Sequence, residues 1–397
     1  HPRRTHAAPT PHPRRPTMNP IRVGIVGAGE VTQVIHLPTL DLLADLFTPI
    51  AVCDASAGVA HAVGDRWRIP TRVTDYADLV TRPEVDAVLV ACPEAFHAEV
   101  TLAALEAGKH VLLEKPMCYT LREADAIVDA QRRAGCVVQI GYMRRHNPAF
   151  AAACGRVSAL LAAGDVRLAR VHDVIGANAL IVGQIARVVR PDDLSEADRA
   201  ALAARRAAQI GEAIGPAPAE HHGAFALLHG LASHDLSAMR EMLEHPRGVL
   251  YAARRHRGRY VTAALDYGAF VCHLEVGVDS LPRYDTSIEV FGAREVVRVT
   301  FDTPYVRSLP VTATVTEATG GDAGGRPGVA RHDLHPAWED QYALEWRAFA
   351  RHVAEGGEPK TSAADARHDV ALILELYRAS LAGGAAGGTV ERQPVAR

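Results

Sequence analysis

The segment GAGEVT places Gly27 and Gly29 in the first two positions of a GxGxxG pattern and Thr32 in the third. It follows the β-branched run IRVGIV and precedes apolar residues at helical spacing. In such a strand–turn–helix unit, the first glycine permits a tight turn and the second lets the backbone approach a pyrophosphate at the helix N-terminus. The pattern indicates dinucleotide binding, with predicted contacts from four residues: Gly27, Gly29, Glu30 and Val31.

Asp54 ends the next predicted strand, PIAVCD, 25 residues after Gly29. A carboxylate at this point can accept hydrogen bonds from both adenosine ribose hydroxyls, and its charge repels a 2′-phosphate. The next three residues, 55–57, contain no arginine that could hold such a phosphate. The sequence therefore favours NAD over NADP. The alternative left open is that Asp54 only caps the helix that follows.

Strands alternate with helices as far as the run CVVQIGY, which is typical of a doubly wound parallel sheet. Ligands of such sheets bind beyond the carboxyl ends of the strands. We therefore predict that the cofactor site includes the residues that end or follow two of these strands: Cys92, Pro93, His97, Glu114 and Lys115. His97 also suits a structural position at the start of a helix.

Four segments give the sequence a resemblance to the glucose–fructose oxidoreductase and inositol dehydrogenase family (Gfo/Idh/MocA). They are GIVGAGEVTQVIHLPTL, CPEAFH, GKHVLLEKPMCYTLREADAIV and GYMRRHNPAF, and EKP is the most specific mark. SHDLSAMREML and the stretch from WEDQYALEWR to LELYRAS extend the resemblance over nearly the whole chain. The resemblance implies an N-terminal Rossmann doubly wound parallel sheet, followed by a mostly antiparallel open sheet with helices.

The resemblance also implies roles for Lys115 and His234. Lys115 of EKP would lie near the nicotinamide and the reacting carbon, and His234 would be the general acid/base. The family usually has an aspartate four residues before this histidine, where the sequence has Gly230, so one expected catalytic partner is missing. Histidine titrates near neutral pH, and burial can tune lysine. The alternatives left open are a solvated surface lysine and a buried structural histidine.

Further polar residues are candidates for substrate contacts: Arg144, Asn178, His221, His222 and Asp235. The two adjacent histidines precede the helix that carries His234 and could form a rim of the substrate site. Adjacent histidines rarely converge on one metal ion, so we expect no metal site. Arg283, Tyr284 and Asp285 lie in a predicted turn that could reach the same site, although turn chemistry explains the aspartate equally well.

The composition argues against several classes of protein. Lys and Arg number 43 against 46 Asp and Glu, so we expect no basic face for nucleic acid. No apolar run approaches about 18 residues, so we expect no membrane span. None of the six cysteines forms a CxxC pair, which favours reduced core thiols and a cytoplasmic location. The two arginine pairs near the N-terminus lack the apolar segment of a twin-arginine export signal.

The pattern predicts four parts of the chain. Residues 1–20 are a disordered tail, 21–146 a Rossmann dinucleotide-binding domain, 147–337 a substrate and oligomerisation domain, and 338–397 helices that pack back on the first domain. We expect a homo-oligomer, a dimer or tetramer, formed through the C-terminal sheet.

These observations favour an NAD-dependent oxidoreductase that transfers a hydride between nicotinamide and a secondary alcohol or ketone of a sugar, sugar acid or cyclitol. One alternative is a redox-neutral lyase, hydrolase or epimerase that uses tightly bound NAD as a transient oxidant. The other is a regulator that senses NAD or sugar without turnover. Lys115 and His234 argue against the regulator, because sensing requires no proton carrier.

Overall fold

The computed structural model describes residues 19–217, 219–307, 309–320, 327–334 and 336–383. Positions 1–18 of the predicted disordered tail lie outside the described residues. So do positions 384–397, the end of the predicted closing helical segment.

The first sheet has six strands: β1 (Ile21–Val26), β2 (Phe47–Cys53), β3 (Thr71–Val73), β4 (Ala87–Val90), β5 (His110–Leu113) and β6 (Val138–Ile140). Their order is β3-β2-β1-β4-β5-β6, and every neighbouring pair is parallel. Val23, Leu89 and Leu112 are fully buried because helices cover both faces of the sheet. This confirms the predicted Rossmann sheet, and its strand order reverses at β1 and β4, where such sheets bind ligands.

Five helices connect these strands: α1 (Leu37–Leu42), α2 (Ala57–Trp67), α3 (Tyr76–Val80), α4 (His97–Glu106) and α5 (Leu121–Ala134). A π-helical turn, Thr32–His36, precedes α1. Gly27 has φ of +96°, and a Cβ there would lie 2.4 Å from the carbonyl oxygen of Ala91. Only glycine fits this turn, because a side chain would collide with the neighbouring backbone.

The second sheet has eight strands: β7 (Leu168–Gly176), β8 (Gly248–Arg255), β9 (Tyr260–Asp266), β10 (Val271–Asp279), β11 (Tyr284–Phe291), β12 (Glu295–Phe301), β13 (Thr312–Thr319) and β14 (Gly328–Leu334). Their order is β14-β13-β12-β11-β7-β10-β9-β8. Only β7 and β10 pair in parallel, so the predicted mostly antiparallel sheet is confirmed.

Among the helices that share a hydrophobic core with this sheet are α6 (Pro148–Ala162), α9 (Ala219–Leu227) and α10 (Ser233–Leu243). A second π-helical turn, Leu228–Ala232, joins α9 to α10. Between β7 and α9 the chain forms two further helices, α7 (Ala179–Ile185) and α8 (Glu196–Ile214). Ser195 and Asp198 form a capping box that fixes the start of α8.

The chain returns to the first sheet in α11 (Gln341–Glu355) and α12 (Ala363–Gly383). Trp346 and Phe349 are fully buried in the same core as β1 and β2. Helix α12 contributes Val370 to the core of the first sheet and Leu376 to that of the second, so it packs against both. Within the described residues, no helix has the length and apolar character needed to cross a membrane.

Candidate functional site

A cavity of about 1260 Å³ lies beyond the carboxyl ends of the first sheet, between the two sheets and α8. Many of the residues predicted for the site line it: Gly27, Gly29, Val31, Asp54, Cys92, Pro93, His97, Glu114, Lys115, Asn178 and His234. Five others are not among its lining residues: Glu30, Arg144, His221, His222 and Asp235. The structure thus brings the predicted catalytic residues and all predicted cofactor residues except Glu30 into one cavity, but it leaves most of the predicted substrate contacts outside it.

The glycine turn and Asp54 form the end of the cavity that we name the nucleotide half. The amide of Ala28 donates to Asp54 Oδ2 and the amide of Ser56 to Oδ1, each at 2.9 Å. The N-cap of α2 is Ser56, which accepts from Val59, so the capping alternative for Asp54 is wrong. Asp54 instead holds the two turns together while its carboxylate lines the cavity.

Thr32 explains the departure from the full glycine pattern. Its hydroxyl donates to the carbonyl oxygen of Gly27 at 2.6 Å, and the side chain is fully buried. The hydroxyl therefore ties the first turn of the helix to the glycine loop, and the third glycine is not needed here.

Lys115 lies at the centre of the cavity wall, and its ammonium donates to the carbonyl oxygen of Gly230 at 2.7 Å. Burial lowers the pKa of Lys115, although the carboxylates of Glu114 and Glu94 oppose that shift. Gly230 lies in the π-helical turn Leu228–Ala232. The aspartate carboxylate is absent at this position, and the backbone carbonyl of Gly230 binds the lysine instead. Lys115 is not a solvated surface residue.

His234 lines the cavity at the start of α10. Burial, together with the positive charges of Lys115 and Arg144, lowers its pKa well below the ordinary value. Its Nδ1 is buried and has no hydrogen-bond partner among the described residues. The imidazole is therefore neutral at physiological pH and can accept a proton.

Glu114 also lines the cavity, and a chain of buried groups fixes its charge. The Trp346 indole donates to His36 Nδ1 at 3.1 Å, so His36 carries its proton on Nε2, which lies 2.9 Å from Glu114 Oε1. Burial alone would raise the pKa of Glu114, but the interactions with His36 and Lys115 together outweigh it and the pKa falls. The carboxylate stays ionised beside Lys115, whose amide donates to its Oε2 at 3.0 Å.

Arg144 and Asp235 were predicted as substrate contacts, and the structure corrects this. Arg144 is 1% exposed and donates to Asp235, to Asp173 at 3.2 Å and to the Tyr284 hydroxyl at 2.9 Å. Burial and the neighbouring Asp173 raise the pKa of Asp235. Both ends of the ion pair are used inside the protein, so neither residue is available to a substrate. Arg144 reaches the cavity wall through the Tyr284 hydroxyl, and its charge also lowers the pKa of His234.

His221 and His222 do not form the predicted rim. His221 Nδ1 lies 3.0 Å from the Tyr377 hydroxyl, and Arg254 contacts its Nε2 at 2.8 Å. The helical path of α9 carries both histidines away from the cavity. Over the part of the chain that the structure describes, no group of three or more His, Cys, Asp or Glu side chains is placed to hold a metal ion.

Glu30 and His97 both bind other groups of the protein around the cavity. Glu30 accepts from Arg190 at 2.7 Å and is not a lining residue, so its predicted cofactor contact is corrected to an ion pair with the segment before α8. His97 lines the cavity, yet its two ring nitrogens lie 2.7 Å and 2.9 Å from the carbonyl oxygens of Pro116 and Cys92. This geometry favours the structural alternative for His97.

The opposite end of the cavity, which we name the substrate half, is formed mainly by the second domain. Its lining residues are Ile175, Asn178, Gly230, Leu231, His234, Tyr284, Pro304, Tyr305 and Tyr342. Sequence reasoning named Tyr284 only as part of a turn and missed Tyr305 and Tyr342. Tyr305 lies between β12 and β13 and Tyr342 lies in the first turn of α11. No spacing in the sequence connects these two positions with the glycine turn.

Helix α8 and the segment before it cover the nucleotide half. Arg205 donates to the carbonyl oxygen of Ala95 at 2.8 Å and to Glu99 at 2.5 Å, and Gln209 donates to the same carbonyl at 3.0 Å. The face of the helix turned to the cavity consists of Asp198, Arg199, Ala201, Leu202 and Arg205. The spacing of these residues is helical, so the sequence predicts that one face of α8 is buried. It does not indicate which part of the molecule that face covers.

Comparison with known proteins connects the first domain to a family. Residues 21–142 match the model of the oxidoreductase family GFO_IDH_MocA, described as an NAD-binding Rossmann fold. The inositol 2-dehydrogenase of Salmonella typhimurium LT2 is 35% identical over 132 residues, which are 33% of this chain and 39% of that protein. The D-glucoside 3-dehydrogenase of Escherichia coli K12 is 35% identical over 129 residues, or 32% of this chain and 36% of that protein. The chain thus covers less than half the length of these relatives.

A similarity to a solved structure extends over both sheets. KijD10, a 3-ketoreductase from Actinomadura kijaniata crystallised with NADP and TDP-benzene, aligns with a TM-score of 0.66. The alignment covers 92% of this chain and 98% of that one, at 23% sequence identity. This similarity establishes the two-sheet fold beyond residue 142, where the family match ends.

Proposed function

We propose that the chain belongs to the Gfo/Idh/MocA family of NAD-binding oxidoreductases, whose model matches residues 21–142, and that it is an NAD-dependent dehydrogenase or reductase. It would transfer a hydride between nicotinamide and a secondary alcohol or ketone of a sugar or cyclitol. The observation that carries this proposal is that Lys115 and His234 line the same cavity as the Gly27–Gly29 turn. A dinucleotide site and two proton-transferring groups thus share one space.

The residues that line the cavity have different roles in the proposed reaction. NAD, when bound, supplies a nicotinamide ring that accepts or returns a hydride. The neutral His234 imidazole takes the hydroxyl proton in the oxidation direction and gives it back in reduction. The Lys115 ammonium, held by Gly230, hydrogen-bonds the hydroxyl oxygen and stabilises the negative charge that develops there. The ionised Glu114 lies beside Lys115 and opposes the loss of its proton.

The substrate half favours an uncharged polyhydroxylated substrate over a sugar acid or nucleotide sugar. Among the described residues that define the substrate half, the ionisable groups are one neutral histidine and three tyrosines, and Lys115 at its border is bound to Gly230. Lys115 is assigned to the reacting oxygen, and none of the described residues that define the substrate half is a second cation that could pair with a carboxylate or phosphate of the substrate. Tyrosine rings and an asparagine suit hydroxyl-rich rings. Inositol and glucosides, the substrates named for two relatives, carry neither a carboxylate nor a phosphate.

The test is NADH absorbance with the purified protein, NAD⁺ and a panel of inositols, glucosides, sugar acids and one nucleotide sugar. We expect NADH to accumulate with an inositol or glucoside and not with the charged compounds. Turnover with a sugar acid alone would overturn the substrate class. Absence of turnover with all compounds, together with no binding of NADH, would overturn the proposed function.

A second candidate is the redox-neutral enzyme with a retained cofactor. The observation that favours it is the cover formed by α8, which Arg205 and Gln209 attach to the nucleotide half. A nucleotide beneath this helix would leave slowly. If the purified protein releases one NAD per chain on denaturation and accumulates no NADH with any substrate, this candidate replaces the first.

The expected assembly and location remain part of the proposal. A dimer or tetramer through the second sheet would bring together surfaces that carry ion pairs such as Arg170–Glu275 and Arg298–Glu289. Light scattering after size exclusion measures the mass of the assembly. The six cysteines have free thiols, three of them buried, which fits a reducing compartment such as the cytoplasm.

A further inference from the structure

An acidic pair from the second domain lies against the start of α2. The amide of Gly58, in the first turn of that helix, donates to Asp193 Oδ2 at 2.9 Å. A Cβ placed at Gly58 would lie 3.4 Å from this oxygen and 3.8 Å from Asp192 Oδ1. Hydrogen bonds from Ser56 and Gly58 lower the pKa of Asp193, so its carboxylate is ionised there.

This position matters because of what surrounds it. Asp54 ends β2 and lines the nucleotide half, and Ser56 begins α2 two residues later. In doubly wound sheets the adenosine ribose lies against the residue that ends this strand, and a 2′-phosphate projects towards the loop and helix that follow. The free amides of a helix N-terminus are the groups that attract such a phosphate.

We propose that Asp193 is a specificity-determining residue that selects NAD over NADP, because its carboxylate occupies the anion position that a 2′-phosphate would need at the start of α2. The inference rests on the proposed NAD-dependent function and deepens it. Asp54 alone can hold the ribose hydroxyls. Asp193 adds a negative charge from a different domain and uses the Gly58 amide that the phosphate would require.

The neighbouring structure fixes this carboxylate in place. Val189 and Pro191 line the cavity, and Val189 exchanges two hydrogen bonds with the side chain of Gln33, at 2.8 Å and 2.9 Å. On the other side, Ser195 caps α8. The segment that carries Asp193 is therefore held on both sides, and its charge stays close to α2.

The experiment compares the dissociation constants of NADH and NADPH, measured by fluorescence titration, in the wild-type protein and in Asp193→Asn. The asparagine keeps the size and an acceptor oxygen but removes the charge. We expect the wild type to bind NADH at least about tenfold more tightly, and the variant to lose most of that preference through tighter binding of NADPH, since like charges in contact disfavour binding. Glu196→Gln, an exposed charge three residues further on, is the matched control and should leave the ratio unchanged.

The outcomes are distinct. A ratio in Asp193→Asn equal to that of the wild type, with an unchanged circular dichroism spectrum, overturns the role of Asp193 and leaves the proposed function standing. A wild-type protein that binds NADPH as tightly as NADH would also overturn the role of Asp193 and leave the proposed function standing. If neither nucleotide binds to the wild type, the proposed function and this inference fail together.

Discussion

The ammonium of Lys115 is bound to the backbone carbonyl of Gly230, 2.7 Å away and 115 residues further along the chain. A carbonyl has a partial negative charge, whereas the aspartate that the family usually has at this position would carry a full one. The lysine is therefore held in place, while burial continues to lower its pKa. Glu114 already opposes loss of the Lys115 proton, and a second carboxylate at position 230 would oppose it further, so the lysine exchanges its proton more readily with the carbonyl there.

Removing the lysine amine tests its place in the reaction. We expect Lys115→Ala to reduce turnover by about 10²–10⁴ because the developing charge on the substrate oxygen loses its donor. NADH affinity should change less than about threefold, since the glycine turn and Asp54 remain. Steady-state kinetics and fluorescence titration measure the two quantities. Full turnover in the variant would show that Lys115 is not catalytic.

The pH dependence follows from the lowered pKa of His234. The neutral imidazole is the active base, so activity in the oxidation direction is retained above its pKa and lost as pH falls through it. Because that pKa lies below the ordinary value of about 6.5, we expect a constant rate from pH 8 to about 6.5 and a decline only at more acidic pH. A pH–rate profile of the wild type measures this.

His234→Asn is the companion variant, since asparagine is close in shape and does not titrate. It should lower turnover by about 10²–10⁴ and abolish the acidic decline. A decline that persists in the variant would assign it to another group.

Restoring the family's aspartate tests the Gly230 contact. Within the described residues, nothing lies within 4 Å of a Cβ added at this position, so Gly230→Asp fits without collision. Because Lys115 acts as an ammonium, activity should decline at alkaline pH as the lysine loses its proton. The added carboxylate should raise the pKa of Lys115 and move that decline up by about one pH unit or more. Gly230→Asn, of the same size but uncharged, is the control and should leave that decline in place. An equal shift in both variants would contradict the electrostatic explanation.

The buried cluster around Arg144 leads to a prediction about the free energy of unfolding. Arg144→Met leaves Asp235 and Asp173 without their cation, and removing one partner of a buried pair costs about 3–5 kcal/mol of unfolding free energy. Arg170→Met removes an arginine from the surface pair with Glu275, where the side chain is 44% exposed, and should cost less than about 1 kcal/mol. Urea denaturation followed by circular dichroism gives both values. Equal losses would show that burial of the cluster has little energetic weight.

The sequence by itself determined the features that depend on local structure. A glycine turn between a strand and a helix, an acid at the end of the next strand and a lysine at the end of β5 are each defined by a few adjacent residues. The carboxyl ends of parallel strands meet at one edge of the sheet, so Gly27, Asp54 and Lys115 had to lie near one another once the strands were recognised. The sheet architecture follows from the same alternation of strands and helices.

Tertiary structure decided the rest, because those contacts join residues far apart along the chain. Arg144 meets Asp235 across 91 residues, and this buried ion pair removes both from the substrate contacts that their charges suggested. Asp193 reaches Gly58 across 135 residues, and only the packing of the segment before α8 places it there. The carbonyl of Gly230 has no side chain to identify it, so its contact with Lys115 depends on the backbone path of a π-helical turn that residue types alone do not specify.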